Sequence, residues 1–304
     1  MSYPTSGSYR AGFVGLIGLP NSGKSTLMNA MVGEKVSIVT SKPQTTRRRV
    51  MGLLSDEKFQ MVFVDAPGVV RAKSGLNMFL REEAFDVAAQ SDLLLVVLNV
   101  DEKDPEQLDE IVKLAVESGK PWVALIHKTD LPEIHRPQIL RDKLTKYNVP
   151  VIQGSAKEDP ESLREKLIEE ILPRLPFSEG PLYDAELYTL SSVKELSCEI
   201  IREKCFETLH QEVPFGLAVR ILKFDEESPI IRIFGEILVS KENHRGIVIG
   251  RGGQALKTIG TEARKEIEKL VGQKIFLDLQ VASKKDWQKN PGVMRELGYV
   301  LPKA

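Results

Sequence analysis

The segment Gly18-Leu19-Pro20-Asn21-Ser22-Gly23-Lys24-Ser25-Thr26 constrains this chain more than any other. From Gly18 to Ser25 it follows the spacing G-x-x-x-x-G-K-[ST]. Gly18 and Gly23 let the backbone bend so that its N–H groups face a polyphosphate. Lys24 then reaches the outer phosphates, and the Ser25 hydroxyl takes a position on Mg²⁺. The apolar run 11–17 before it reads as a buried parallel strand, and residues 25–32 after it read as a helix. Strand, loop and helix are the setting such a loop needs to cradle phosphate.

The alternation continues to about residue 172. Strand-like runs cover 13–18, 50–54, 60–65, 93–100, 122–127 and 149–153. Helical patterns cover 24–32, 75–90, 105–117, 137–147 and 160–172. Continuous apolar strands such as Leu93-Leu-Leu-Val-Val-Leu are expected when helices cover both faces of a sheet. The fold class is therefore a doubly wound α/β P-loop domain, over 9–174. Three prolines and a glycine fall within Pro173-Arg-Leu-Pro-Phe-Ser-Glu-Gly-Pro, which marks a boundary, and residues 175–185 are read as a linker. Residues 186–304 read as a smaller α+β module: helix 186–210, strands 217–224 and 230–239, helical region 246–271, strand 274–282 and a short tail.

Further boxes follow the strands. Asp65-Ala-Pro-Gly68 ends one of them, where the Asp65 carboxylate can hold Mg²⁺ through water and the Gly68 N–H can meet a terminal phosphate. Thr45 and Thr46 lie in the polar loop Lys42-Pro-Gln-Thr-Thr-Arg-Arg-Arg. A threonine there can ligate Mg²⁺ only while a γ-phosphate is present, which makes the loop a switch. Spacing does not separate the two; Thr46 is preferred. In His127-Lys128-Thr-Asp130, the carboxylate of Asp130 can accept two hydrogen bonds from a guanine edge, and Lys128 can lie along the base. Such bonds to charged groups are worth about 1.5–3 kcal/mol each, so adenine is disfavoured. Ser155-Ala156-Lys157 can buttress the base by backbone N–H.

Taken in order, these boxes resemble those of translation-factor-class small GTPases. In the second module, Val248-Ile249-Gly250-Arg251-Gly252-Gly253 and the Gln-Ala-Leu-Lys-Thr-Ile-Gly after it resemble the G-x-x-G loop and helix of a type II KH domain. A GTPase domain followed by one KH domain, with Ser197-Cys-Glu-Ile-Ile-Arg-Glu-Lys and the tail Leu297-Gly-Tyr-Val300, is similar to the Era family over about residues 11–300. The resemblance implies a bacterial-type, cytoplasmic GTPase using GTP/GDP and Mg²⁺. It also implies binding to the 3′ region of small-subunit ribosomal RNA and a role in small-subunit assembly. Peripheral contact with a membrane is implied by the resemblance alone, and a monomer is expected.

Two departures bear on chemistry. The family has Asn where this chain has His127, and that Asn contacts the purine and ties its box to the P-loop. An imidazole is expected to donate one bond without the paired donor and acceptor of an amide. Nucleotide binding is then expected to be somewhat weaker, by about 0.5–1.5 kcal/mol, with guanine preference kept by Asp130. Second, Val69 stands where some relatives carry a water-orienting Gln, and neither it nor Val70 can orient water. Related GTPases without this Gln often use a bound K⁺, held partly by an Asn at the position of Asn21. Catalysis is thus assigned to Lys24, Thr46 and Asn21 with K⁺; the other reading of Asn21 is that it braces the loop.

The net charge of −1 excludes a globally basic nucleic-acid protein, so any RNA contact must be local. Residues 243–261 contain Arg245, Arg251 and Lys257 and no acidic residue. A glycine loop there clamps about four nucleotides of backbone and leaves the bases to an adjacent groove. The alternative function is an RNA-binding assembly factor whose nucleotide site is mainly structural. Cys198 and Cys205 are seven apart in a helical pattern, read as core thiols in a reducing compartment. His135, His210 and His244 show no metal spacing and are read as surface or helix-end residues; Trp122 is read as core, and Trp287 as either packing or RNA contact. The N-terminus is read as a disordered stub rather than a secretion signal, and no transmembrane run is present.

Overall fold

The computed structural model describes residues 9–40, 42, 45–69, 75–132 and 136–299. The expectations for the N-terminal stub, Val70, His135 and Val300 fall outside them. The chain divides into two compact units. Among the described residues, the first comprises 9–37, 46–69, 80–132 and 136–190, and the second 38–40, 42, 45, 75–79 and 191–299.

The first unit is built from β1 (Arg10–Gly18), α1 (Lys24–Val32), β2 (Val50–Ser55), β3 (Phe59–Asp65), most of α2 (Gly75–Gln90), β4 (Leu93–Asn99), α3 (Pro105–Glu117), β5 (Trp122–His127), α4 (Arg136–Leu144), β6 (Val151–Gly154) and α5 (Pro160–Ile171). Its sheet runs β2-β3-β1-β4-β5-β6, with β2 antiparallel to β3 and every other pairing parallel. Strand alternation divides the apolar side chains between two layers. Val14, Leu93, Leu95, Val97, Val123 and Leu125 pack with Leu27, Met28 and Leu167 on one face. Ile17, Leu94, Val96, Leu98, Ala124 and Ile126 pack with Ile111, Ala115 and Leu140 on the other, and Trp122 joins this second layer. Burial on both faces is why β4 is apolar at every position from Leu93 to Leu98, each such side chain stabilising the fold by about 1.5–3 kcal/mol.

The proline-rich stretch expected as a linker is bound to the first unit instead. Ala11 N–H donates to Pro176 O (3.3 Å), Ser178 N–H to Tyr9 O (2.9 Å), and Leu53 N–H to Tyr188 O (2.9 Å). The Gln60 amide closes a pair with the Tyr183 backbone at 3.0 and 2.9 Å. The segment runs through bends with isolated bridges at Phe177 and Thr189, and its backbone satisfies groups that the sheet leaves unpaired. The helix expected from residue 186 starts only at α6 (Val193–Thr208), where Ser192 and Glu195 form a reciprocal capping box.

The second unit continues with β7 (Leu217–Asp225), β8 (Ile231–Val239), α7 (Glu242–Ile249), α8 (Gln254–Val271), β9 (Ile275–Ser283) and a short α9 (Pro291–Glu296) that the sequence pattern does not predict. β7 and β8 pair antiparallel, β8 and β9 parallel. Ile201, Cys205, Leu217, Ile233, Val248, Ile259 and Ile267 form its core. Burial pushes the Cys205 thiol up to about 12, so it is an inert apolar group there. Cys198 is half-buried, with its Sγ 3.2 Å from Val219 O. Trp287 is buried, donates Nε1–H to Gly216 O (2.9 Å) and stacks on Tyr299, which settles its role as packing. Of the histidines read as surface or helix-end residues, His210 is exposed and His244 lies at a helix end, buried in the first turn of α7. Residues 38–40 and 42 belong to this unit: Val39 N–H donates to Glu203 Oε1 (2.9 Å), and Lys42 Nζ donates to Phe206 O and Leu209 O at the end of α6. Among the described residues, no helix is long and apolar enough to cross a membrane.

Leu95 is fully buried between strands and helices. Leu95→Ala is expected to lower stability by about 3 kcal/mol. Urea unfolding followed by circular dichroism checks this; an unchanged midpoint contradicts it.

Candidate nucleotide site and glycine loop

The boxes of the first unit gather at the carboxyl ends of its parallel strands, where open α/β sheets bind ligands. The phosphate loop leaves β1 at Gly18, Asp65 ends β3, His127 ends β5, and Ser155 follows β6. Asn21 (φ 61°) and Gly23 (φ 97°) both take left-handed conformations, which turns successive N–H groups inward ahead of Lys24. Asn21 is exposed; Pro20, Ser25 and Thr26 are half-buried beside it, and Ser22 is buried. The Lys24 ammonium is buried and donates to Leu19 O (2.8 Å) and Gly18 O (3.3 Å). Burial lowers its pKa to about 8, against the pull of the Asp65 carboxylate.

Asp65 collects four hydroxyl-bearing and charged partners. Its Oδ2 accepts from Ser25 Oγ (2.5 Å), Ser37 Oγ (3.2 Å) and Thr46 Oγ1 (3.3 Å), and Ser25 Oγ lies 2.9 Å from Thr46 Oγ1. Its Oδ1 is buried with no hydrogen-bond partner among the described residues. Burial raises the carboxyl pKa, while Lys24 and the three hydroxyls oppose the rise. Thr46 thus lies in the cluster. Thr45 instead bonds Thr40 Oγ1 and Lys42 O, both at 2.8 Å. Ser37 carries no signal in the sequence, because nothing in its neighbourhood separates it from any other loop serine. Of the arginines after the threonines, Arg48 is exposed and the other two are held by the first unit. Arg47 is buried, and Arg49 forks onto Glu83 (3.0 Å) and Asp86 (3.1 Å) of α2.

Gly68 is required by a close approach. A Cβ there would lie 2.4 Å from Pro20 N, and the next residue, Val69, donates its N–H to Gly18 O (3.2 Å). The Val69 side chain packs on the apolar layers.

His127 departs most from what the sequence predicts. Its Nδ1 is 2.9 Å from Ser22 O, and its Nε2 accepts from Ala156 N–H at 3.2 Å. A neutral imidazole has one donor and one acceptor on opposite sides of the ring, and here both are used. The expected loss of a paired donor and acceptor is thus corrected: the ring reaches two loops at once. In consequence the Ala156 N–H, expected to serve the base, points at His127, and the Lys157 N–H donates to Ser155 Oγ (3.2 Å). Lys128 (φ 62°) turns its Nζ onto Asp101 Oδ2 (2.9 Å), which Asn99 also holds (2.6 Å to Oδ1). Asp101 does not stand out in the sequence, since an acidic residue after a strand carries no signal of its own. Asp130 is half-buried at the end of this turn.

In the second unit the glycine loop joins α7 to α8. Gly250 (φ 75°), Gly252 (φ 60°) and Gly253 (φ 79°) are all left-handed, and a Cβ on Gly250 would press on Ala255 at 2.8 Å. Arg245, Arg251 and Lys257 are exposed or half-exposed on the surface; Ile249 is half-buried against the core. Arg245 lies 3.6 Å from Glu242 at the surface. Beside the loop is a cleft of about 320 Å³ lined by Gly253, Leu256, Lys257, Thr261, Arg264 and Leu277 among others. Arg264 and Leu277 escape sequence reasoning because only the fold brings α8 and β9 together.

A family model described as a 50S ribosome-binding GTPase matches residues 13–128, and a KH-domain model matches 212–288. The GTPase Era of Syntrophus aciditrophicus is 39% identical over 300 residues, covering 96% of this chain and 95% of the relative. The GTPase Era of Caldanaerobacter subterraneus is 38% identical over 303 residues, covering 97% and 100%. Among solved structures, a single-substitution variant of Aquifex aeolicus Era bound to GDP·AlF4⁻ superposes with a TM-score of 0.88 at 32% identity, covering 96% of this chain and 100% of that one. Era in complex with MgGDPNP and nucleotides 1506–1542 of 16S ribosomal RNA matches with the same score, identity and coverage. Near-complete coverage at these identities makes this chain a member of the GTPase Era family.

Proposed function

We propose that the chain hydrolyses GTP slowly and uses its nucleotide state to gate an RNA clamp in the KH module, in the service of small-subunit assembly. The observation that carries this reading is the meeting of Ser25, Thr46 and Asp65, which joins the phosphate loop and the switch threonine in one cluster. The oxygen donors and the partnerless Asp65 Oδ1 fit Mg²⁺, held by Ser25 and Thr46 with Asp65 acting through water. Bound there, the ion would neutralise charge building on the transferred phosphate. Lys24 contributes a fixed positive charge to the same end, and Asp130 selects guanine.

RNA binding is supported by Arg251 and Lys257 on a three-glycine loop next to a cleft, and by the relative captured with 16S ribosomal RNA nucleotides. The proposed RNA is the 3′ region of the small-subunit ribosomal RNA, on the small subunit. The protein is placed in the cytoplasm as a monomer, and peripheral membrane contact rests on family resemblance alone. Val69 favours a second reading, in which the nucleotide site is mainly structural, because an apolar side chain packed on the core cannot orient water.

Three measurements bear on this. Single-turnover GTP hydrolysis with and without small-subunit RNA separates the two readings; no turnover in either condition supports the structural one. Hydrolysis is expected to be faster in K⁺ than in Na⁺, with the difference abolished in Asn21→Ala; equal rates in both salts, or an unchanged K⁺ response in the variant, contradict a cation held by Asn21. Charge reversal at Arg251 and Lys257 should weaken RNA binding and flatten its salt dependence, by about 0.7 in slope for each phosphate no longer neutralised. Unchanged RNA affinity would count against the clamp.

A further inference from the structure

We propose that His127 is a positioning residue which pins the phosphate loop to the loop after β6, and that it does so only as the neutral imidazole protonated on Nδ1, so that nucleotide binding by this chain is coupled to a proton. The proposal rests on the reading of this site as a GTP site.

The geometry leaves one protonation state. Ser22 O can only accept, so Nδ1 must carry the hydrogen; Ala156 N–H can only donate, so Nε2 must be bare. The other neutral tautomer would place a lone pair against Ser22 O and an N–H against the Ala156 N–H, losing both bonds. The imidazolium would keep the Ser22 bond and set two donors against each other at Ala156. An amide at this position has no such dependence, since it does not titrate in this range.

Both bonds act on functional backbone. In a trans peptide the carbonyl and the following N–H point in opposite directions. Drawing Ser22 O towards the ring therefore aims the Gly23 N–H the other way, into the loop that faces phosphate. Gly23 also makes room for the ring: a Cβ there would lie 2.4 Å from His127 Cε1 and Nδ1. At the other end, the Nε2 bond fixes the peptide joining Ser155 to Ala156. One buried ring thus sets the spacing between the phosphate side and the base side of the site.

The charged groups that act on the ring are Lys128 and Asp130 from its own turn and Asp101 after β4. Burial is the largest influence on its pKa and depresses it. The Ser22 carbonyl works against this, Lys128 adds to it, and Asp130 and Asp101 oppose it. With a depressed pKa, the two-bond state is complete above the ordinary imidazole value of 6.5 and is lost as pH falls through the lower value in the folded chain.

The test measures GDP affinity of the full chain from about pH 5 to about pH 8, by displacement of a fluorescent GDP analogue, for wild type, His127→Asn and His127→Ala. The terminal phosphate of GDP titrates too, but it cancels in the ratio of wild type to variant. Relative to His127→Asn, wild-type affinity should fall by about three- to tenfold across the acid limb. His127→Ala should be weaker at every pH and lack the extra acid limb. The ¹⁵N spectrum of the wild-type imidazole provides a readout that needs no variant, with Nδ1 protonated and Nε2 bare at neutral pH. A ratio independent of pH, or a proton found on Nε2, overturns the proposal. Failure of wild type to bind GDP even at neutral pH overturns both the proposal and the GTP-site reading, whereas binding with a flat ratio overturns the proposal alone.

Discussion

Asp65 is a carboxylate without solvent, and much of the site is organised around what that costs. A buried charge is tolerated only with hydrogen bonds and countercharge close by. Here three hydroxyls from different parts of the chain converge on one oxygen, and the buried Lys24 ammonium shares the space. Ser25 belongs to the first turn of α1, Ser37 to the segment after it, and Thr46 to the polar loop before β2. Each is drawn to the end of β3 by the same group. The opposed shifts of Asp65 and Lys24 express one fact: neither charge is fully compensated by protein alone. A polyphosphate with its divalent cation has the charges needed to complete both.

The sheet makes that convergence possible. Its five parallel strands point one way, so their carboxyl ends, and the loops that follow them, lie along one edge of the sheet. The glycines along this edge are there for geometry. Gly68 lets the turn after Asp65 come within contact of Pro20, and Gly23 takes a left-handed φ while leaving space for a histidine ring. The same economy appears in the second unit, where three left-handed glycines bring α7 and α8 together at a turn whose one side chain is Arg251.

Much of this is legible in the sequence because it is local. The ends of α1, α2, α3 and β5 follow from periodicity and from the residues that bound them. Asp65 and the phosphate loop carry their own spacing. What escapes is long-range or depends on competition. Residues 175–185 look like a linker by composition, yet they find unpaired groups on the first unit. The start of α6 is written in Ser192-Val-Lys-Glu195, but a helical apolar pattern running further back obscures it. Asn290 and Pro291 likewise announce α9. Ser37, Arg264 and Leu277 have no local signal. His127 reads in sequence as a poorer amide, because spacing says nothing about partners on two sides of a ring.

If Asp65 is the group through which the chain reads a metal-bound nucleotide, removing its charge while keeping its shape should remove the metal's influence. The direct measurement is the affinity for a non-hydrolysable GTP analogue as Mg²⁺ is titrated, in wild type and in Asp65→Asn. The structure predicts that wild-type affinity rises with Mg²⁺, by about tenfold or more for a gain of roughly 1.4 kcal/mol of interaction, and that the variant responds little. The same Mg²⁺ dependence in both proteins would contradict the account.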